Sequence, residues 1–228
     1  FLKSAIVLGF QNGTPEFEFY VINADLTSIT KKLKVSQLIN AALAKVPDKD
    51  EFYVSGSQSG DVKRFYVAKL SVDGTVSSQK VFEEASPTVM CMIASSSHLM
   101  MSNIYAAGTE EMVREILFLD ASDLTLKNQS KMLNTAEGEA SCTVSSDEIS
   151  FGITLPSEKL GMATWIFRNL LLYDFFSLNA IDSRVMVSHD LAFSSDGARL
   201  LYTGGMTTAT TAFKGAFGVL NYKTLESS

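Results

Sequence analysis

Two histidines and two cysteines are the residues of this chain whose chemistry best suits catalysis or metal binding. His98 and His189 stand in no HExxH or comparable spacing, which a histidine-based zinc site would show. We expect His189 to have a structural role and His98 to be an exposed turn residue. Cys91 and Cys142 lack CxxC spacing, and the sequence identifies no base that would activate either thiol. We expect free, packed thiols, with a single bridge as the alternative.

Other segments resemble binding loops only superficially. Asp48-Lys49-Asp50-Glu51 lacks the alternating oxygen ligands and the sharp-turn glycine of a calcium loop, so we interpret it as a solvated hairpin turn. Gly204-Gly205 and Ser57-Gln58-Ser59-Gly60 lack the spacing and the following helix of a phosphate-binding loop. The GxSxG elbow of hydrolases does not occur in the sequence. The sequence therefore predicts no catalytic, cofactor-binding or metal site.

Composition limits the classes of partner. Hydrophobic residues make up 46% of the 228 residues and charged residues only 19%, so the chain can bury a core and general disorder is excluded. The net charge of −6 argues against a surface that follows nucleic-acid phosphates. The longest apolar stretches, 38–46 and 169–176, are too short to cross a bilayer core of about 30 Å. Glycosylation sequons at Asn12 and Asn128 occur at chance frequency, so the compartment stays open.

The elements that would position any site follow a repeat of about fifty residues. Five segments share an apolar run, then a turn with Asp, Asn, Gly or Ser, then a polar strand-like run. Measured at the turn, they are separated by 48, 50, 55 and 47 residues. They are Phe17–Leu26, Arg64–Gly74, Glu115–Leu124, Leu170–Leu178 and Gly218–Leu225. Short β-rich runs grouped in fours at this interval are typical of β-propeller blades.

Strand positions follow from the clearest repeat, with strands lettered A to D from the axis outward. Ser195-Asp196-Gly197 predicts a tight A–B hairpin turn between strand A at Leu191–Phe193 and strand B at Leu200–Thr203. Strand C would include Val219–Tyr222. This register predicts three, four, four, four and three strands in one all-β domain over residues 1–228. Residues 37–45 are equally compatible with a short helix, and 110–116 are a weaker helix candidate.

One stretch carries a family resemblance. Leu191-Ala192-Phe193-Ser194-Ser195-Asp196-Gly197, followed by an apolar strand and Thr203-Gly204, resembles the A–B hairpin of β-propeller repeats with WD40 or YVTN-like blades. Strand endings at Leu119-Asp120 and Tyr173-Asp174 are similar in position to that family's terminal Trp-Asp. The dipeptide itself is absent, since Trp165 precedes Ile166. The resemblance implies a propeller or an open propeller segment and no particular activity.

Long B–C loops are the predicted interaction surface. We place the loop of blade four at residues 155–165 and that of blade five at 206–214, and long loops are disproportionately functional. Apolar side chains there suggest a protein contact, although they could equally fold back over the blades. The candidate contact residues are Leu160, Met162, Trp165, Met206 and Phe213. Arginines near the start of strand C, Arg64, Arg114 and Arg168, are interpreted as caps of sheet edges.

Two functional hypotheses follow. The first is a non-catalytic scaffold or assembly module that binds protein partners or copies of itself. The alternative is a ligand-binding or enzymatic propeller with a site at the mouth of the central channel; nucleic-acid binding ranks last. A segment that starts at Phe1 in strand B and stops after strand C leaves its terminal blades incomplete. We therefore expect a longer native protein or completion of these blades by another polypeptide.

Overall fold

Alternating and continuous apolar runs form extended strands throughout the computed structural model. It describes residues 5–11, 16–23, 25–36, 38–58, 64–82, 88–107, 111–132, 140–157, 161–178, 187–208 and 211–221. Within these ranges the chain forms 18 β-strands, and helical conformation is confined to Leu178. The all-β fold class is therefore confirmed.

The strands form five sheets of consecutive antiparallel strands, here called blades 1 to 5. Blade 1 contains β1 (Ala5–Gln11), β2 (Glu16–Asn23) and β3 (Ile29–Ser36). Blade 2 contains β4 (Leu38–Lys45), β5 (Glu51–Gln58), β6 (Arg64–Ser71) and β7 (Val76–Phe82). Blade 3 contains β8 (Thr88–Ala94), β9 (His98–Ala107), β10 (Glu111–Asp120) and β11 (Leu126–Met132).

Blades 4 and 5 continue the same order. Blade 4 contains β12 (Ser141–Val144), β13 (Ser150–Ser157), β14 (Gly161–Arg168) and β15 (Leu171–Ser177). Blade 5 contains β16 (Val187–Phe193), β17 (Leu200–Thr208) and β18 (Thr211–Leu220). The described strands therefore number three, four, four, four and three, as the repeat predicted. Strands A to D are β4–β7 in blade 2, and blade 5 supplies strands A to C.

Both helix candidates are strands in the structure. Residues 38–45 form β4, and the 110–116 segment contributes to β10. Good helix formers at 41–44 are overridden because β4 lies against neighbouring strands, with Leu38 fully buried. A Cβ built on Gly56 of β5 would lie only 3.1 Å from the Ala41 Cα, so small residues permit this close approach. Tertiary packing thus decides the conformation of this segment.

The register of blade 4 differs from the prediction. The repeat segment 170–178 was predicted to contain strand C, ending at Tyr173-Asp174, whereas the structure places β15 at the outer position D and makes β14 the C strand. The C–D turn lies at Asn169 and Leu170, both with positive φ, of 49° and 65°. In blade 5, β18 ends at Leu220, and Tyr222 lies outside the described residues.

Side chains close the A–B hairpin turns, as the Ser-Asp-Gly pattern predicted. In blade 5 the Ser194 hydroxyl donates to Asp196 Oδ1 at 2.5 Å and accepts from the Arg199 N–H at 2.9 Å. Gly197 occupies the left-handed region with φ of 63°. Ser145 and Asp147 repeat the same hydroxyl–carboxylate bond in blade 4. The 48–51 segment forms the turn between β4 and β5, which confirms its interpretation as a hairpin turn.

The chain divides into two compact units, each with its own core. The first comprises Phe1–Ala106 and Ile116–Gln129, and the second Ala107–Glu115 and Ser130–Ser228. In the first unit, Phe19 of blade 1 packs with Phe52 of blade 2, and a second cluster joins blades 2 and 3. In the second unit, Met162 and Ile166 of blade 4 pack with Leu191 of blade 5. Blades therefore pack face to face through apolar clusters.

Candidate interaction site

The outer strand of blade 4 exposes a row of large apolar side chains. β15 is the last strand of its sheet and has the sequence Leu-Leu-Tyr-Asp-Phe-Phe-Ser. Leu171 is 65% exposed, Leu172 52%, Tyr173 42% and Phe175 56%. A register shift opposite Ile166 and Phe167 places a bulge in β15, which turns consecutive side chains outward. We call these four residues the β15 patch.

Neighbouring residues of strand C extend the β15 patch. Trp165 of β14 pairs directly with Phe175 of β15, so their side chains lie on one face of the sheet. Trp165 is half-buried, which gives this face a second aromatic ring beside the exposed one. At the start of β15, the Arg168 guanidinium lies 5.7 Å from the ring centroid of Tyr173. A cation over an aromatic face stabilises the orientation of the ring at the surface.

Blade 4 holds this patch on a rigid base. Ile153, Ile166 and Phe167 are fully buried on β13 and β14. The hydroxyls of Thr154 and Thr164 share a buried hydrogen bond of 2.9 Å between the same strands. Because the central strands are packed and their polar groups are paired, the outer strand is presented in a fixed register.

Four of the five residues predicted to form a loop face lie on strands instead. Met162 and Trp165 belong to β14, while Met206 and Phe213 belong to β17 and β18. Met162 is only 2% exposed and packs in the core cluster of the second unit, so it does not reach the surface. Leu160 lies outside the described residues, as do the side chains of Met206 and Phe213. Of the two candidates whose side chains the structure describes, Met162 and Trp165, Trp165 is the one adjacent to an exposed apolar surface.

Outer strands of blades 1 to 3 have a different character. Each carries lysines at its edge: Lys31, Lys32 and Lys34 on β3, Lys80 on β7, and Lys127 and Lys131 on β11. Edge lysines oppose the addition of another strand, because a pairing partner would have to desolvate them. β15 contains no lysine or arginine. This contrast was readable in the sequence, but the assignment of 170–178 to strand C concealed it.

Ion pairs fix the lysines of β3. Lys32 Nζ lies 2.6 Å from Glu18 Oε2, and Lys34 Nζ lies 3.2 Å from Glu18 Oε1. The Tyr20 hydroxyl donates to Glu18 Oε2 at 2.8 Å. Bonding to Lys32, with that hydroxyl and Lys34, lowers the pKa of Glu18 to about 2. The pKa of Lys32 rises to about 12 for the reciprocal reason. This outer surface is therefore charged, with two lysines sharing one carboxylate.

The two cysteines differ from expectation. Cys91 on β8 and Cys142 on β12 both lie on A strands, as predicted, but both are disulfide-bonded. The expectation of free thiols was therefore wrong, and the alternative of a single bridge holds. A disulfide removes both thiols from nucleophilic chemistry.

The two histidines and the three arginines near strand C lie on different strands. His98 is half-buried at the first position of β9, and His189 lies within β16 rather than before it. Arg64 begins β6, as expected, whereas Arg168 ends β14. Arg114 lies inside β10 and is fully buried, and burial lowers its pKa to about 10. The predicted shared position at the start of strand C therefore holds for Arg64 alone.

Among the residues that the structure describes, no group of three or more His, Cys, Asp or Glu side chains is arranged to hold a metal ion. Nor does the described part of the chain contain a helix long and apolar enough to span a membrane.

Comparison with solved structures places the chain among β-propellers. TolB from Acinetobacter baumannii is 15% identical with a TM-score of 0.60, over 96% of this chain and 51% of that one. The β-propeller domain of the Trilobed protease from Pyrococcus furiosus is 14% identical with a TM-score of 0.54, over 96% and 66%. BamB from Moraxella catarrhalis is 12% identical with a TM-score of 0.54, over 89% and 60%.

These similarities establish the fold class and nothing finer. The chain has the blades of a β-propeller or open propeller segment, and it spans about half to two thirds of the length of these three structures. No protein-family model and no curated protein matches the sequence. Propellers serve binding, scaffolding and catalysis alike, so the fold leaves the activity unassigned.

Proposed function

We propose that this chain is a non-catalytic protein-interaction module, and that the β15 patch is its partner-binding surface. The observation that carries the proposal is the exposure of Leu171, Leu172, Tyr173 and Phe175 on a single outer strand. Contiguous exposed apolar surface on a folded domain is typical of protein-binding sites. Aromatic residues such as Tyr173 and Phe175 contribute disproportionately to such interfaces.

The occupant that fits this surface is an extended segment of another protein. β15 lies at the outer edge of its sheet, where an added strand gains main-chain hydrogen bonds while pockets between side chains give specificity. Because β15 has no edge lysines, the desolvation cost of adding a strand is lower there than at β3, β7 or β11. Trp165 would widen the apolar contact from the adjoining strand. Met206 and Phe213 remain predicted contacts on blade 5.

Site-specific photo-crosslinking tests the proposal in the native source. A photoreactive phenylalanine analogue at position 173 on β15 is compared with the same analogue at Val81, which is 41% exposed on the lysine-bearing strand β7. We expect one defined polypeptide adduct at position 173 and none at 81. The companion change Phe175→Lys should abolish that adduct without lowering the melting temperature.

Two outcomes would contradict the proposal. Equal adducts at both positions would show collision rather than binding. An adduct at position 173 that survives Phe175→Lys would show that the β15 patch does not provide the contact. The purified partner should then bind the wild-type chain in solution and bind the Phe175→Lys variant at least about tenfold more weakly, the loss expected for one central aromatic contact.

A further inference from the structure

Two strands at sheet edges carry an aspartate whose side chain binds the N–H of the next residue. On β15 the Asp174 carboxylate accepts from the Phe175 N–H at 2.8 Å. On β16 the Asp190 carboxylate accepts from the Leu191 N–H, also at 2.8 Å. In the described sheets, β15 and β16 each have a neighbouring strand on one side only. An N–H at the free edge of a sheet is the group that an added strand would bind, so the direction of these N–H groups matters.

Both N–H groups point to the free edge. On β16 the Phe193 N–H donates to the Thr143 hydroxyl of β12, in blade 4, at 3.4 Å, so it points away from β17. N–H groups two residues apart on a strand point the same way, and the Leu191 N–H therefore also points away from β17. β15 repeats this arrangement, because in both strands the aspartate directly follows a bulged residue that the strand pairing skips. The Phe175 N–H is thus an edge donor of β15.

Around Asp174, the residue types of β15 are similar in both directions along the strand. Leu172-Tyr173-Asp174-Phe175-Phe176 has two aliphatic or aromatic residues on each side of the one charged residue of this strand. In an antiparallel pair of two β15 strands centred on Asp174, Leu172 would lie opposite Phe176, and Tyr173 opposite Phe175. Cross-strand pairs of this kind stabilise a sheet, so they favour this register. These residues alone would therefore allow two copies of the chain to pair through β15.

Asp174 opposes that pairing in two ways. Its carboxylate already binds the Phe175 N–H, and this hydrogen bond must break before another strand can use the donor. In the register centred on Asp174, the carboxylates of the two copies would lie directly opposite each other, and like charges at such positions destabilise a sheet. A strand with lysine or arginine at the central position brings an attractive charge pair instead. Its cation also provides a charged donor for the carboxylate that releases the Phe175 N–H.

We infer that Asp174 determines which strand β15 accepts. A segment with lysine or arginine between two pairs of apolar residues binds, and β15 of a second copy of this chain does not. This inference rests on the proposed function of the β15 patch and adds the chemistry of the partner segment. Such selectivity combines an attractive contact with the correct partner and a repulsive one with the wrong partner. The net charge of −6 also favours the encounter with a basic segment.

The Asp174→Lys variant of the chain is a probe of this class, because its β15 places a lysine between the two apolar pairs. Both chains carry the photoreactive phenylalanine analogue at position 173, and one is isotope-labelled so that mixed and like adducts differ in mass. We expect the mixed adduct at a concentration at least about tenfold lower than either like adduct, the effect of one favourable charge pair. Asp190→Lys makes the same charge change at the corresponding bond of β16 and is the matched control. Its mixture with the wild type should give no more adduct than the wild type with itself.

Three results would overturn the inference: no mixed adduct with Asp174→Lys, equal adducts with Asp174→Lys and Asp190→Lys, or a wild type that crosslinks to itself as strongly as to the variant. Circular dichroism and melting temperature check that each variant folds, and Asp174→Arg replaces Asp174→Lys if the latter does not. The outcome is separable from that of the proposed function. A partner captured at position 173 in the native source, with no mixed adduct between chains, would refute the selectivity of Asp174 alone. A mixed adduct without a native partner would refute the proposed function alone.

Discussion

The Tyr53 hydroxyl donates a buried hydrogen bond of 2.8 Å to the carbonyl oxygen of Ala121, 68 residues further along the chain. Tyr53 lies on β5 of blade 2, and Ala121 follows β10 of blade 3. Burial raises the pKa of this phenol to about 12, with the carboxylates of Glu51 and Asp120 adding to the effect. One polar contact therefore pins the C–D turn of a blade to its predecessor.

Tyr53→Phe should lower the free energy of unfolding by about 1–3 kcal/mol, because the Ala121 carbonyl loses its buried donor. Urea denaturation measures the loss. Tyr66→Phe is the control, since the Tyr66 hydroxyl donates to Gln79 at an exposed site and at 3.3 Å. Equal losses of unfolding free energy for the two substitutions would show that the buried hydrogen bond contributes no more to stability than the exposed one.

Glu18 should make stability depend on acid. Its pKa of about 2 in the folded chain lies below the ordinary value of about 4.3 for a glutamate. A lowered carboxyl pKa stabilises the fold above the unfolded-state value, and that stabilisation is lost as pH falls from about 4.3 through 2. Glu18→Gln should therefore lose less stability over this range than the wild type. In the Lys32→Met variant the loss should occur at higher pH than in the wild type, because the bond to Lys32 no longer lowers the pKa of Glu18.

Urea unfolding at pH 7, 4 and 2.5 would measure both effects. Parallel pH profiles for the wild type and Glu18→Gln would show that the ion pairs of β2 and β3 do not contribute to acid sensitivity.

Gly218 admits no larger residue while Tyr202 keeps its place. A Cβ on Gly218 would lie 2.2 Å from the Cζ and hydroxyl oxygen of Tyr202, its partner across β17 and β18. Gly218→Ala should therefore cost about 1–3 kcal/mol in unfolding free energy through forced displacement of the ring. In Tyr202→Leu the same change should cost much less. Additive costs in this double-mutant cycle would contradict a direct clash.

Disulfide formation should be visible by mass. Cys91 and Cys142 should take up no iodoacetamide when the chain is denatured without reduction, and two adducts after reduction. Reduction should lower the unfolding free energy by about 2–5 kcal/mol, the usual cost of removing a native bridge. The Cys91→Ala, Cys142→Ala double variant should match the reduced protein. Labelling before reduction would show free thiols.

Sequence patterns predicted the blades but misplaced individual strands. Strand alternation and the turn at Ser195-Asp196-Gly197 depend on local chemistry, so the hairpins and strand numbers were predictable. The 170–178 segment was predicted to contain strand C because its apolar run follows the repeat of about fifty residues. In this chain the outermost strand of blade 4 is apolar as well, and hydrophobicity alone cannot separate a core strand from an exposed edge strand.

Packing partners explain what the sequence did not show. Leu26 and Leu124 occur in the same tripeptide Asp-Leu-Thr, yet Leu26 is 66% exposed, whereas Leu124 is fully buried in the cluster that joins blades 2 and 3. The candidate contact Met162 is apolar like Leu171, yet the first lies in the core and the second on the surface. The residue types show that both positions are apolar. The place of each strand in the sheet determines which side chain is buried in the core.

Each sheet contains only consecutive strands, and this order affects how the protein is made. Each strand forms its backbone hydrogen bonds with strands that are synthesised immediately before or after it. Closing short hairpins costs little loop entropy compared with pairing distant segments. Blades can therefore form one after another during synthesis, without waiting for distant parts of the chain.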